Sequence, residues 1–167
     1  MKKLISLAVG LIVAQIAWGA EARLADAPEA SQNVKLHLQF SPYTYHYTPD
    51  DEHRNVLMAG LEREYTSGKL DGVTAFSNSF GQPCVYLYPW GGVWRGLAGV
   101  DALSFKWTAG VLYGYKPPYE NKVPLNKGGF SPAAIVALAY QLTPKWSAQA
   151  NLLGTAALMF QINMQIR

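Results

Sequence analysis

Apolar and amide side chains alternate strictly along the C-terminal segment of this chain. The apolar positions are Phe160, Ile162, Met164 and Ile166, and the amides between them are Gln161, Asn163 and Gln165. Because successive side chains of a β-strand point to opposite faces, this spacing predicts a strand with one oily face and one amide-lined face. The oily face points inward in a soluble sandwich, whereas in a membrane barrel it points to lipid. The periodicity alone does not distinguish the two.

An export signal and the aromatic content favour the membrane barrel. Lys2 and Lys3 precede an apolar run over 4–18, and Ala20 and Ala22 offer small residues for a signal peptidase. We expect a signal peptide over 1–22, cleaved after Ala22 or, alternatively, after Ala20. The apolar run is shorter than the roughly 20 residues that a spanning helix needs, and no later run reaches that length. Aromatic residues make up 13% of the chain, which is typical of proteins with membrane-interface belts.

Composition excludes several other classes of protein. The 167 residues carry 14 Lys and Arg against 11 Asp and Glu, so the chain lacks the clustered basic surplus of a nucleic-acid binder. The single cysteine, Cys84, excludes an intramolecular disulfide framework and a cysteine-rich zinc site. Half of the residues are hydrophobic, which argues against intrinsic disorder.

Turn-forming residues divide the rest of the chain into segments of roughly ten residues, the length of a membrane-spanning strand. We predict strands over 34–47, 54–65, 70–79, 84–94, 103–115, 130–142, 146–152 and 157–166. The expected architecture is all-β: a short polar segment over 23–33, then an eight-stranded antiparallel transmembrane barrel of the outer-membrane type over 34–167. An even strand count puts both termini on the periplasmic side, with the four longer connections facing outward.

This topology brings a small set of polar side chains to the outward rim. The first predicted strand reaches His46, and the third reaches Asn78 and Ser79. A histidine and a serine at one rim can serve as general base and activated hydroxyl, with a neighbouring amide to orient them. The alternative is that these are ordinary solvated loop and turn residues. The three histidines, His37 included, show no spacing typical of a metal site.

Four short motifs occur in an order that resembles the outer-membrane lipid A palmitoyltransferase (PagP) family. They are Phe76-Ser77-Asn78-Ser79, Thr108-Ala109-Gly110-Val111, Val123-Pro124-Leu125 and Phe130-Ser131-Pro132-Ala133. A short strand followed by a long alternating one at the C-terminus is also similar to the family pattern. The resemblance can be laid along most of the mature chain.

The resemblance implies an eight-stranded barrel that moves a palmitoyl chain from a membrane phospholipid to lipid A. It matches Ser79 to the family serine, Asn78 to the family aspartate, and His46 to the family histidine, with His53 as the substitute. The histidine would then accept a proton from a hydroxyl of the sugar or of Ser79. We expect no cofactor, no metal and no nucleic acid as a partner, and a monomer in the outer membrane.

Several features of the chain depart from the family pattern. Asn78 cannot carry the charge with which an aspartate stabilises an imidazolium. Residues 23–33 lack the amphipathic face of a membrane-surface helix, and the chain ends in Arg167 rather than in an aromatic residue. A non-enzymatic small outer-membrane barrel and a lipid A deacylase therefore remain open as alternatives.

Small residues and prolines give two further expectations. Space for an acyl chain inside the barrel would come from small residues at Gly91, Gly92, Ala109, Gly110 and Ala137. Pro42 and Pro132 interrupt predicted strands, and each removes one ladder hydrogen bond. They indicate either a bulge or, by the resemblance, a lateral opening for lipid; the bulge is favoured at Pro42 and the opening at Pro132.

Overall fold

The computed structural model describes residues 34–48 and 51–167, and these fold into a closed antiparallel barrel of eight strands. The strands are β1 (Lys35–His46), β2 (Met58–Glu64), β3 (Leu70–Ser77), β4 (Pro83–Arg95), β5 (Leu103–Tyr113), β6 (Phe130–Gln141), β7 (Trp146–Leu153) and β8 (Ala157–Gln165). The predicted all-β architecture is confirmed. The predicted signal peptide over 1–22 and the polar segment over 23–33 lie outside the described residues.

Each strand pairs with its neighbours in sequence, and β8 returns to pair with β1. Closure leaves no open sheet edge, which hydrocarbon would be unable to satisfy with hydrogen bonds. One end of the barrel, the terminal end, carries the start of β1, the end of β8 and three connections. The opposite end, the loop end, carries the β1–β2, β3–β4, β5–β6 and β7–β8 connections.

The oily face of the strands points away from the barrel interior. In β8 the side chains of Phe160 and Ile162 are 43% and 37% exposed, whereas Gln161 and Asn163 are 5% and 2% exposed. This is the arrangement of a transmembrane barrel, because a soluble barrel would turn the same two faces the other way. No helix among the described residues is long and apolar enough to cross a membrane.

The start of the second strand differs from the sequence-based prediction. The strand was expected from residue 54, but β2 begins at Met58. The backbone amide of Arg54 instead donates to the carbonyl of Ser79, at 2.7 Å, and the Val56 side chain is buried. Val56 and Leu57 make this segment resemble a strand, yet residues 54–57 lie outside β2 and are held at the loop end by these long-range contacts.

Candidate functional site

Two histidines meet at the loop end of the barrel. His46 is the last residue of β1, and His53 lies in the β1–β2 connection. Both side chains are half-buried, and their ring centroids are 4.2 Å apart with the planes tilted by 33°. Nδ1 of His53 is buried and has no hydrogen-bond partner among the described residues. At this separation two protonated rings would repel each other.

The β3–β4 turn is built around the Asn78 side chain, which is buried. Its Oδ1 accepts hydrogen bonds from the backbone amides of Phe80 and Gln82, at 3.0 and 2.9 Å, and its Nδ2 donates to Gln82 Oε1 at 3.2 Å. An asparagine that bonds to backbone groups two and four residues ahead fixes a tight turn. Asn78 therefore sets the conformation that presents Ser79, and its amide does not reach either histidine.

The predicted rim residues come to one end of the barrel, but they do not form a triad in this structure. Among the described residues, no hydrogen bond joins His46 to Ser79. The contact between the histidines and the turn runs through His53, whose ring packs edge-on against Phe80 at 5.5 Å. The backbone bond from Arg54 to Ser79 draws the same connection toward the turn. His53, the alternative base, is thus in ring contact with the turn that carries Ser79.

A third connection closes over this rim. The Tyr119 ring stacks on Phe80 with centroids 4.2 Å apart, and Lys122 Nζ lies 5.1 Å from the centre of the Phe80 ring. The Gln82 side chain also bonds both backbone groups of Lys116. Sequence reasoning missed Phe80 and Tyr119, although an aromatic residue within a polar connection was an available signal for a packed loop.

Burial also affects a tyrosine in the same connection. The side chain of Tyr115 follows the end of β5, and desolvation raises its pKa to about 12. Its phenol therefore stays neutral at ordinary pH and is a hydrogen-bonding group rather than a base.

No group of three or more histidine, cysteine or acidic side chains that could hold a metal ion occurs within 34–48 and 51–167.

An apolar cluster lies on the inner face of the barrel near the loop end, beside the buried polar side chains of Thr44 and Asn151. Val56, Met58 and Met159 form a buried cluster, and Phe76 and Leu153 pack against it. These residues lie directly inside the rim that carries the histidines and Ser79. The amide-filled interior expected from β8 therefore describes only part of the lumen.

A polar layer fills the lumen nearer the terminal end. Its members are Gln39, Glu62, Tyr88, Lys106, Gln149, Asn151, Gln161 and Asn163. At its centre Lys106 Nζ lies 2.5 Å from Glu62 Oε1 and 3.2 Å from Gln149 Oε1. Both charged side chains are almost fully buried, which is tolerable because each is paired and hydrogen-bonded.

The small residues that were expected to leave room for an acyl chain are surrounded by other atoms. A Cβ at Gly110 would lie 2.0 Å from the Leu87 carbonyl oxygen, and one at Gly92 would lie 2.6 Å from Trp107 Nε1. Ala109 faces Trp90 in the outward row. These positions allow strands and rings to approach closely, so any apolar space must come from the cluster at the loop end instead.

The barrel wall is interrupted beside both prolines. The β1–β2 ladder ends at the Ser41–Met58 pair, immediately before Pro42, and β1 shifts register against β8 between Phe40 and Tyr43. On the other side of the barrel, β6 pairs with β7 only from Val136 onward. Residues 130–135 of β6, which include Pro132, therefore have no ladder partner in β7. Both interruptions lie in the loop-end half of the wall.

The comparisons with known proteins give evidence about the fold of this chain and not about its family. No family model matches the sequence, and no curated protein matches it. Among solved structures the chain is similar to one described as a de novo design of transmembrane β-barrels. The identity is 12%, the TM-score is 0.56, and the match covers 79% of this chain and 95% of that chain. At this identity the likeness concerns the fold alone: an eight-stranded barrel of the transmembrane kind.

Proposed function

We propose that this protein is an outer-membrane acyltransferase that moves a palmitoyl-like chain from a phospholipid to lipid A. The observation that carries the proposal is the apolar cluster of Val56, Met58 and Met159 on the inner face. In a transmembrane barrel, lipid covers the apolar side chains of the outer face. Apolar side chains that point into the lumen therefore need another explanation. A lining of this chemistry, directly beneath a rim with two histidines and a serine, suits a hydrocarbon chain whose ester end stays at the rim.

The acyl chain would displace flexible side chains rather than fill a ready cavity. Met58 and Met159 are unbranched, with three rotatable bonds each, and such side chains repack readily around a guest. Lipid would enter sideways through the interrupted wall at Pro132, with Pro42 as the second route. Both interruptions support this path because backbone groups without a ladder partner offer the least resistance to separation.

The rim residues would divide the chemistry among them. His53 or His46 accepts the proton of the attacking hydroxyl, which belongs to the sugar acceptor or to Ser79. The carbonyl oxygen of the donor ester gains negative charge at that moment and needs hydrogen-bond donors at the rim. Asn78 would act by holding the turn in shape, since its side-chain oxygen accepts two backbone hydrogen bonds of the turn and its Nδ2 donates to Gln82.

A non-enzymatic barrel is the second candidate, and two observations favour it. The polar layer occupies the lumen around Lys106 and Glu62 as an ordinary barrel filling would. Asn78 also supplies no charge to a histidine. In this case the histidine pair and the Phe80–Tyr119 stack would serve only to order the connections.

Mass spectrometry of lipid A, from cells with and without the full chain, tests the proposal. We expect a gain of one acyl chain; loss of a chain would indicate a deacylase, and no change would indicate a non-enzymatic barrel. Ser79→Ala and at least one of His53→Ala and His46→Ala should abolish the gain, whereas the neighbouring Ser77→Ala should not. Normal modification by both histidine variants and by Ser79→Ala would refute the assigned roles. Fractionation should find the protein in the outer membrane, as a monomer.

A further inference from the structure

An open trough of about 390 Å³ runs along the outside of β7, and its lining extends to Leu103 on β5 and Pro42 on β1. Its floor is Ala148 and Ala150, and each alanine lies directly between two large side chains of the neighbouring strands. Across the three strands the paired residues form two rows, Tyr140–Ala148–Ile162 and Leu138–Ala150–Phe160. All four flanking side chains are exposed on the outer surface. Two tall walls and a low floor therefore form a channel one strand wide, about 10 Å from β6 to β8.

The outward row of β7 continues past the two floor alanines to a large side chain on either side. On the outward row of β7, Trp146 stands at the terminal end and Leu152 at the other, and both are exposed. The six residue steps between them correspond to about 20 Å. A low floor between two rows of large side chains differs from the uniform apolar surface that ordinary annular lipid requires.

Positive charge lies beyond the tryptophan. Lys145 immediately precedes Trp146, and its carbonyl accepts from the Gln165 amide at 2.8 Å; Arg167 follows on the same strand end as Gln165. Both side chains are exposed, and neither forms an ion pair within the described part of the chain. An exposed tryptophan beside free cations is the arrangement of a membrane interface, where lipid phosphates lie.

We propose that this trough binds one anionic phospholipid from the leaflet at the terminal end of the barrel. One acyl chain lies over Ala148 and Ala150, and the headgroup phosphate is held by Lys145 and Arg167. A second copy of the chain is a poorer occupant, because two convex barrels would meet at the tops of the flanking side chains and leave the floor empty. A stable protein interface also needs roughly 1,000 Å² of buried surface, far more than two alanines supply. This site does not depend on the proposed acyl transfer.

Native mass spectrometry of the folded full chain, released from detergent, tests the site. The probes are phosphatidylglycerol and phosphatidylcholine with identical palmitoyl and oleoyl chains. We expect one phosphatidylglycerol to remain bound at higher occupancy than phosphatidylcholine. The double variant Ala148→Leu with Ala150→Leu fills the floor and should lower that occupancy at least tenfold. The pair Lys145→Gln with Arg167→Gln should keep lipid bound but remove the preference for phosphatidylglycerol.

Two matched variants control for volume and charge. Ala59→Leu with Ala75→Leu adds the same volume to the lipid-facing wall on β2 and β3, and Lys69→Gln with Lys127→Gln removes the same charge elsewhere; both should bind as the wild type does. If the filled trough folds poorly, Ala150→Leu alone replaces it. Brominated phosphatidylglycerol in vesicles should then quench Trp146 less in that variant. Unchanged lipid occupancy in the filled variants, or a dimer that only they abolish, would overturn the proposal.

Discussion

Removing Lys106 should destabilise the barrel more than any exposed charge change, because it leaves Glu62 buried without its partner. The two side chains are 7% and 2% exposed and lie 2.5 Å apart. Breaking a buried pair from one side costs about 3–5 kcal/mol. We therefore expect Lys106→Met to lose about 4 kcal/mol, a factor of nearly a thousand in the unfolding constant.

The double variant Glu62→Met with Lys106→Met should recover most of that loss. Its remaining neighbours keep other partners: the Tyr88 hydroxyl retains Gln39 Oε1 at 3.2 Å, and Gln149 Oε1 retains Asn163 Nδ2 at 3.1 Å. Replacing both members of a buried pair by apolar groups of similar size is often nearly neutral. The comparison of single and double variants thus separates the cost of an orphaned charge from the net value of the pair.

Urea unfolding in detergent, followed by tryptophan fluorescence, measures the stability of the single and of the double variant. At about 2 kcal/mol per molar urea, the single variant should unfold roughly 2 M earlier than the wild type, and the double variant within about 0.5 M of it. Lys69→Met, in an exposed turn, is the control and should not shift. A single-variant cost below about 1 kcal/mol, or a double variant as weak as the single, would refute the reasoning.

Three further expectations concern the wall and the rim. Gly110→Ala should destabilise the barrel by about 3 kcal/mol or more in the same assay, since its Cβ would lie 2.0 Å from the Leu87 carbonyl oxygen; a neutral result would mean that the close approach relaxes freely. Asn78→Ala should cost about 1–3 kcal/mol through its lost turn hydrogen bonds and should raise hydrogen exchange in the β3–β4 turn, whereas an unchanged turn would contradict its assigned role. Burial raises the pKa of Tyr115 to about 12, above its usual value near 10, so its contribution to stability is complete below pH 10 and is lost as pH rises from about 10 to 12. Tyr115→Phe should lose less stability than the wild type across that window; equal losses would contradict the shift.

Local sequence pattern was sufficient to predict the strands and their two faces. Seven of the eight strands begin within one residue of the predicted position and end within two, because side-chain alternation and turn residues act over a few positions at a time. The β2 error shows the limit of this reasoning. Residues 54–57 look like a strand locally, but Arg54 is bonded to Ser79 across the loop end, and nothing near residue 54 in sequence encodes that bond.

The candidate site, too, could be predicted only in part from the sequence. The sequence alone brought His46, Asn78 and Ser79 to one end, because an antiparallel barrel fixes which strand ends meet. It did not show that the Asn78 side chain would hydrogen-bond within its own turn. It also did not show that the Phe80 ring would contact His53.

The contents of the lumen were decided only by the tertiary structure. Glu62 and Lys106 are 44 positions apart, and Met58 and Met159 are distant in the chain yet share one cluster. Alternation tells which side chains point inward but not their height along the barrel axis. That height depends on the register of eight ladders and on the closure of β1 with β8, so the apolar cluster at the loop end and the polar layer in the lumen arise from long-range pairing.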